Sequence, residues 1–398
     1  MLDLDRLLRF AVEQGASDVH VKAGTRPRLR IDGQLREAPF DTVEPAEVET
    51  SALAIMPPAR GGDFAATNEA DFMYNIAGLG RFRVSAFRQR GWVGLVLRRV
   101  LPGIPGFDAL SLPSAVAALA DAPHGLVLVT GLAGAGKTAT LAAIVDHVNT
   151  TRECHVITIE DPVEVLHADK RAVVDQREVG TDTPSAQSAL VHALRQDPDV
   201  IMVSQLRDAA SAWAALQAAE TGHLVLSSLS TVSAVDTLER LIDMFQPHQQ
   251  RQARASIAGA LRGIVSQRLL PRAGGRGRVP AVEVLVVNAR VAERIAEPER
   301  LGELRDEMVK GDLYGMQTFD QSLVHLYDSG LVVRADALAH ADEPSEMRYA
   351  LDRADFERGG QPPAPVPAAA PATNGHPPPP PAAQHEPGPP LAQRVRSG

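Results

Sequence analysis

An eight-residue motif near the middle of the chain restricts the possible folds more than any other feature. Residues 131–138 read Gly-Leu-Ala-Gly-Ala-Gly-Lys-Thr and match the phosphate-binding pattern Gly-x-x-x-x-Gly-Lys-[Ser/Thr] without a mismatch. An apolar run of strand length, 126–130, precedes the motif, and residues 140–148 after it carry helical spacing. A strand, a glycine turn and a helix N-terminus together point backbone N–H groups at a phosphate. The sequence therefore predicts a nucleotide-binding α/β domain.

Each part of the motif has an expected role. Lys137 would reach the β- and γ-phosphates, and the hydroxyl of Thr138 would ligate Mg²⁺. The motif alone does not separate kinases, GTPases and motors, but no guanine-reading Asn-Lys-x-Asp sequence is present, so ATP is favoured over GTP. ATP and Mg²⁺ are therefore the expected cofactors. The expected nucleotide contacts are Gly131, Ala133, Gly134, Ala135, Gly136, Lys137, Thr138 and Ala139.

Changes in composition divide the chain into four parts. Residues 1–100 combine a helical pattern with short alternating runs, which predicts a small α/β domain. Three prolines and two glycines within 101–113 indicate a linker. Residues 114–356 alternate strand-length apolar runs with helical stretches and close with a mostly helical segment, which predicts a parallel sheet covered by helices. Thirteen of the last 38 residues are proline, so we expect residues 357–398 to form a disordered tail.

Charge and cysteine content exclude several classes of function. The net charge of −9 argues against nucleic acid as the main partner, because phosphate binding needs a basic surface. The single cysteine, Cys154, cannot form an internal disulfide, which favours a reducing compartment. No run reaches the roughly 18 apolar residues of a membrane span. We therefore expect a cytoplasmic protein that does not bind nucleic acid.

Polar residues follow three further predicted strands. The apolar runs 155–159, 200–203 and 224–226 are each succeeded by residues with carboxyl, amide or hydroxyl groups. Ligands of parallel α/β folds bind outside the carboxyl ends of the strands, so these residues are candidates for a site. Acids in such places can also be mere helix caps or turn residues. Next to a phosphate loop, Glu160 at the end of the first run becomes a candidate catalytic residue.

Several short segments resemble one known family. Residues 159–164, Ile-Glu-Asp-Pro-Val-Glu, resemble the acidic Asp box of the secretion ATPase superfamily. Residues 193–203 and 219–225 resemble the approaches to its Walker B and His box. The chain also lacks the zinc-binding cysteines of the pilus-extension and type II secretion branches. The segments that are similar to the type IV pilus retraction ATPases, the PilT branch, are 17–20, 81–84, 267–271 and 314–321.

This resemblance carries expectations about fold, assembly and partners. It implies an N-terminal PAS-like domain followed by a RecA-like P-loop ATPase domain. It implies a ring-shaped homohexamer, or a mixed hexamer with a paralogue, that acts in pilus retraction and twitching motility. The partner would be an inner-membrane platform protein of the pilus machine, and the ring would lie peripherally at the inner face of the cytoplasmic membrane.

The chain departs from the family pattern at two functional positions. The family's Walker B ends in Gly-Glu, where this chain has Ser204 and Gln205, and the His-box histidine is replaced by Ser230. Glutamine has the length of glutamate but cannot accept a proton from water, and loss of a general base costs roughly 10²- to 10⁴-fold in rate. Three alternatives follow. Glu160 could serve as the base, Gln205 could position the water, or the substitutions could be tolerated in an active motor.

A stretch rich in arginine suggests a second set of site residues. Between residues 71 and 108 there are six arginines and no acid, with aromatic residues interleaved. Such a stretch can bind nucleic acid, which the acidic total charge disfavours, or simply form solvated strand faces. The family resemblance instead implies that arginines of this domain stabilise nucleotide phosphates as an arginine finger does, with Arg83 and Arg98 as candidates. Arg207 is a further candidate for subunit contacts or phosphate sensing.

Three functions remain open on the sequence alone. The leading prediction is an ATP-binding hexameric motor protein whose hydrolysis is weakened at Gln205 and Ser230. The second is a regulatory or assembly protein that binds ATP without hydrolysing it, and the third is a fully active motor. Steady release of phosphate would separate the third from the second.

Overall fold

The computed structural model describes residues 2–31, 34–100, 103–275, 277–359 and 363. In this part of the chain the strands form two sheets, one of six strands and one of seven. The strands of the first sheet are β1 (Asp18–Lys22), β2 (Arg28–Ile31), β3 (Gln34–Glu37), β4 (Glu69–Ile76), β5 (Gly80–Gln89) and β6 (Trp92–Val100). They are antiparallel throughout and lie in the order β3-β2-β1-β6-β5-β4.

Three helices accompany the first sheet. They are α1 (Leu4–Glu13), α2 (Pro45–Ile55) and α3 (Pro58–Thr67). The first helix begins where the Asp3 carboxylate accepts a hydrogen bond from the backbone N–H of Arg6 at 2.9 Å, which satisfies one free donor of the first turn. Leu4, Leu7 and Leu8 follow at helical spacing and are buried in the same hydrophobic cluster as the sheet.

The phosphate-loop motif follows an inner strand of the second sheet. Its strands are β7 (Gly125–Thr130), β8 (His155–Glu160), β9 (Val173–Glu178), β10 (Val200–Val203), β11 (Leu224–Leu229), β12 (Leu261–Pro271) and β13 (Arg278–Val286). They lie in the order β13-β12-β7-β11-β10-β8-β9. The six strands β7 to β12 are parallel to one another, as the sequence predicts. The last strand differs, because a short hairpin joins it to β12 and makes that pair antiparallel.

Helices cover both faces of the second sheet. Leu126 and Leu128 of β7 pack into one hydrophobic cluster, whereas Val127 and Val129 pack into a second cluster on the opposite face. A strand that is buried on both faces reads as a continuous apolar run, which explains why the sequence reveals it. The helices that follow the linker are α4 (Ser114–Ala120), α5 (Lys137–Thr151), α6 (Ala186–Ala193), α7 (Ala209–Glu220), α8 (Ala234–Asp243) and α9 (Gln250–Ala260).

The chain continues after β13 as a helical segment, as predicted. Its helices are α10 (Ala289–Ala296), α11 (Leu304–Val309), α12 (Phe319–Asp328), α13 (Arg334–Ala339) and α14 (Pro344–Glu357), with 3-10 turns at Pro298–Glu303 and Asp312–Tyr314. Phe319 and Leu323 of α12 are fully buried against Leu270 and Val279 of the β12–β13 hairpin. Among the described residues, none of the helices is both long enough and apolar enough to cross a membrane.

The predicted fold class, a mixed α/β protein with a parallel sheet, is confirmed. The domain boundaries remain predictions, although β6 ends at Val100 and α4 begins at Ser114. Almost all of the predicted disordered tail, residues 357–398, lies outside the described residues.

Candidate functional site

The phosphate-loop motif forms the turn between β7 and α5. Gly131 leaves the strand with a φ of +148°, and a Cβ at this position would lie 2.6 Å from the carbonyl oxygen of Gln267. Gly136 enters the helix with a φ of +93°, in the left-handed region that favours glycine. The loop is therefore held tightly against β12. All eight predicted nucleotide contacts lie in this turn or in the first turn of α5.

The amine of Lys137 is held by the loop itself. Its Nζ donates to the carbonyl oxygens of Gly131 at 2.7 Å and Leu132 at 3.1 Å. Partial burial lowers the pKa of Lys137 below its ordinary value. The side chain is thus already folded over the loop, where a phosphate oxygen would compete with two carbonyl groups for the same amine.

A cleft of about 230 Å³ opens beside the loop. Lys137 and Thr138 line it from α5, Glu160 from the end of β8, and Gln205 from the segment after β10. Arg83 reaches the same cleft from the first sheet. The structure thus brings together predicted site residues from three strand ends and from the arginine-rich stretch.

Glu160 is buried at the edge of this cleft. Its side chain is only 5% exposed, and its Oε1 accepts hydrogen bonds from Thr158 Oγ1 at 2.8 Å and Gln176 Nε2 at 3.0 Å. Burial raises the pKa of Glu160 above its ordinary value, while these two donors act in the opposite direction. A carboxylate whose pKa lies closer to neutral is a stronger base than a solvated one, so this position suits a proton acceptor.

Gln176 is a site residue that no sequence motif indicates. Besides Glu160, its Nε2 donates to the carbonyl oxygen of Val165 at 2.8 Å, and its Oε1 accepts from the backbone N–H of His167 at 2.8 Å. Both functional groups of this amide are therefore used. They fix the segment after β8 relative to Glu160. Only its place on β9, opposite Thr158 in the parallel pair, brings Gln176 to this site.

Two more acids at the cleft are paired with arginines. Asp161 accepts from Arg207 Nη1 at 3.0 Å and lies 3.8 Å from Arg60 Nη2. Glu164 accepts from Arg83 Nη1 at 3.0 Å. Arg60, on α3, was not singled out by the sequence, since it lies outside the arginine-rich stretch. Its contact with Asp161 joins α3, a helix that accompanies the first sheet, to the end of β8 in the second sheet.

The other predicted arginine, Arg98, does not reach the cleft within one chain. It lies on β6 and donates to Asp18 Oδ1 of β1 at 2.7 Å. Burial alone would raise the pKa of Asp18, but hydrogen bonds from Arg98 and Ser17 outweigh it and lower that pKa. Arg81 lies two residues before Arg83. Burial lowers the pKa of Arg81, while the nearby charges of Glu178 and Glu160 act in the opposite direction.

The cleft offers oxygen groups suited to a hard cation. The Thr138 hydroxyl, the Glu160 carboxylate and the Gln205 amide line it together. Mg²⁺ takes oxygen ligands and keeps several waters when it binds with nucleotide phosphates. The donor set therefore fits the predicted cation, with Thr138 as the protein ligand that the motif indicates.

Comparison with known proteins agrees with this geometry. The family model for "Type II/IV secretion system protein" matches residues 2–311. The chain is 39% identical over 350 residues to the type IV pilus ATPase PilU of Pseudomonas aeruginosa, covering 88% of this chain and 91% of that protein. It is 38% identical over 346 residues to the retraction ATPase PilT of the same organism, covering 87% and 100%.

Solved structures give the same relationship. The pilus retraction motor PilT with bound ADP matches with a TM-score of 0.80 and 40% identity, over 88% of this chain and 100% of that one. The ATPase DotB of Legionella pneumophila matches with a TM-score of 0.70 and 26% identity, over 85% and 95%. The predicted resemblance to pilus retraction ATPases is therefore confirmed, and the chain belongs to the type II/IV secretion system protein family.

Proposed function

We propose that this protein is an ATPase motor subunit of a type IV pilus machine, with a role in pilus retraction and twitching motility. The arrangement that most supports the proposal is the cleft in which Lys137 and Thr138 of the loop face Glu160. The relatives named above, one of them a retraction motor with bound ADP, support the same activity.

The phosphate loop would hold ATP through its backbone and two side chains. Lys137 Nζ would exchange the loop carbonyls for β- and γ-phosphate oxygens, because hydrogen bonds between two charged groups are the stronger ones. The Thr138 hydroxyl would hold Mg²⁺, which neutralises phosphate charge when it is bound. The contacts we assign are Gly131, Ala133, Gly134, Ala135, Gly136, Lys137, Thr138 and Ala139.

Hydrolysis would use the two neighbouring strand ends. The water oxygen forms a bond to the γ-phosphorus while the bond from phosphorus to the β–γ bridging oxygen breaks, and ADP keeps that electron pair. Glu160 accepts the proton that the water loses. The carbonyl oxygen of Gln205 accepts a hydrogen bond from the same water and orients it. Arg83 stands at the cleft to stabilise phosphate charge once it leaves Glu164.

The missing Walker B carboxylate would weaken turnover. An amide at Gln205 orients water but takes no proton, and general-base catalysis is worth roughly 10²- to 10⁴-fold. This is about 3–5 kcal/mol of activation barrier. Binding of ATP would suffer less, because the loop, Lys137 and Thr138 are intact. We therefore infer a motor that keeps its affinity for ATP but hydrolyses it slowly.

Membership of the family supports a proposal about assembly and location. We infer a hexameric ring of this chain, or a mixed ring with a paralogue, acting on an inner-membrane platform protein of the pilus machine at the cytoplasmic face. Arg98 and Arg207 are largely exposed, with side-chain exposures of 71% and 59%, so they remain available to a neighbouring subunit. No role for nucleic acid is proposed.

A second candidate function is an ATP-binding regulatory or assembly protein that does not hydrolyse ATP. The observation that favours it is again the pair of substitutions at Gln205 and Ser230. The two functions differ in one measurement on the purified full-length protein. The motor releases phosphate steadily at saturating ATP, whereas the regulatory protein binds ATP and releases none.

Replacement of the loop lysine tests the site itself. Lys137→Ala removes the cation that would meet the phosphates, so ATP binding measured by calorimetry should be lost. Lys310→Ala, at an exposed position after α11, is the matched control and should bind ATP as the native protein does. Equal ATP affinity in the native protein and Lys137→Ala would contradict the assignment of the site.

A further inference from the structure

Two departures from the family pattern are in contact in the fold. Gln205 and Ser230 are 25 residues apart in the sequence, yet Gln205 Nε2 donates to Ser230 Oγ at 3.3 Å. One stands in place of the Walker B glutamate and the other in place of the His-box histidine. The contact arises because β10 and β11 are parallel neighbours, so the segments after them leave the sheet side by side.

The backbone at the base of Gln205 is fixed by the same two strands. Ser228 Oγ donates to the carbonyl oxygen of Ser204 at 2.6 Å, and the N–H of Leu206 donates to the carbonyl oxygen of Ser228 at 3.1 Å. Leu206 is also buried, with 1% exposure. Both neighbours of Gln205 are thus held in place, so its side chain starts from a defined point beside the cleft.

The bond to Ser230 then fixes the far end of the same side chain. A glutamine side chain has three rotatable bonds, and ordering it costs conformational entropy that a second anchor must offset. Because Nε2 is the atom bonded to Ser230, the carbonyl oxygen Oε1 points away from it. Among the described residues, no hydrogen-bond donor to that oxygen is found. An acceptor is thereby left for a water in the cleft.

We propose that Ser230 is a positioning residue that holds the amide of Gln205 so that Oε1 orients the attacking water. The inference rests on the proposed ATPase function and deepens it. The two substitutions then form one unit, in which a neutral amide and hydroxyl replace an ionisable pair. Neither group titrates near neutral pH, so this orientation does not depend on pH.

A double-mutant cycle on the full-length protein tests the coupling. Ser230→Ala removes the acceptor, so kcat should fall about three- to tenfold with KM unchanged, as loss of one hydrogen bond predicts. In the Gln205→Ala background, Ser230→Ala should have no further effect, because the side chain that it holds is gone. Ser230→Thr keeps the hydroxyl and should retain activity. Ser345→Ala, exposed at the start of α14, is the matched control.

A second readout does not require turnover. The affinity for ADP with aluminium fluoride and Mg²⁺, which imitates the phosphate with its attacking water, should fall about three- to tenfold in Ser230→Ala. The affinity for ADP alone should stay the same. The shape of the pH profile of kcat should also be unchanged, since Ser230 acts on a group that does not titrate.

The outcomes separate the inference from the function on which it rests. Additive losses in the cycle, or no loss in Ser230→Ala, overturn the positioning role while leaving nucleotide binding intact. Native protein that binds ADP but gains no affinity from aluminium fluoride also overturns it. Native protein that binds neither ligand contradicts the proposed function, and the inference with it.

Discussion

The strand ends that carry Glu160 and Gln205 lie side by side in the sheet but differ in burial and bonding. Residues of β8 and β10 are paired in register up to Ile159 and Val203. Beyond them, Glu160 is 5% exposed and accepts hydrogen bonds from two side chains, whereas the side chain of Gln205 is half-buried and bonds to Ser230. One side chain is a buried anion with a raised pKa and the other is a neutral amide.

This difference shows how two tasks can be divided between neighbouring strands. A proton acceptor gains from burial, because desolvation raises its pKa towards neutral. A group that only orients water needs a defined position and no charge. The segment after β10 offers the amide of Gln205, and the acid after β8 has the surroundings that a base requires. The comparison therefore predicts that the catalytic loss on mutation is much larger at Glu160 than at Gln205.

The largest effect is expected for Glu160→Gln. The substitution keeps the shape of the side chain and removes the proton acceptor, so kcat should fall by roughly 10²- to 10⁴-fold. ATP affinity should change little, since the loop is untouched. Phosphate release and ATP calorimetry measure the two quantities, with Glu220→Gln, exposed at the end of α7, as the matched control. Activity that stays within about threefold of native would place the proton transfer elsewhere.

A smaller effect in the opposite direction is expected for Gln205→Glu. A carboxylate beside the cleft can take the water's proton directly, so hydrolysis should rise at least about tenfold where that step limits turnover. The side chain of Ser204, next to Gln205 at the cleft, could crowd the phosphate, so the double change Ser204→Gly with Gln205→Glu is the control. If the native protein already hydrolyses ATP as fast as the double mutant, the motor is not weakened and the comparison fails.

Local motifs explain what could be predicted from the sequence. The loop that holds Lys137 and Thr138 is one continuous segment between a strand and a helix, so its geometry follows from eight residues. Glu160 could be predicted for the same reason, because the end of a buried run is visible in the sequence. Four parallel strands of the second sheet, β7, β8, β10 and β11, also read directly as apolar runs, since they are buried on both faces.

Contacts that depend on the order of strands could not be predicted. Ser230 meets Gln205 only because β11 lies next to β10, and Gln176 meets Glu160 only because β9 pairs in parallel with β8. Arg98 illustrates the same limit. The register of β1 with β6 places it opposite Asp18, and its expected role at a nucleotide stays a prediction. Pairing between distant segments is set by tertiary packing, which a local pattern does not contain.

The smallest effect is expected for Gln176→Leu, which changes the surroundings of Glu160 and leaves its carboxyl group in place. Gln176 Nε2 donates to Glu160 Oε1, and this donation lowers the pKa of Glu160 against the effect of burial. Without it the pKa rises further, so Glu160 is protonated up to a higher pH and the acid limb of the kcat profile should shift upward by about one pH unit. Activity should fall on the acid side and recover at high pH, whereas Gln217→Leu, at an exposed position of α7, should leave the profile unchanged. Ser230→Ala should lower the height of the same profile without moving its limb, so the two variants report separately on base strength and on water orientation. An unshifted profile in Gln176→Leu would mean that Glu160 is not the base. The strand ends that carry Glu160 and Gln205 would then differ in burial and bonding but not in a catalytic role.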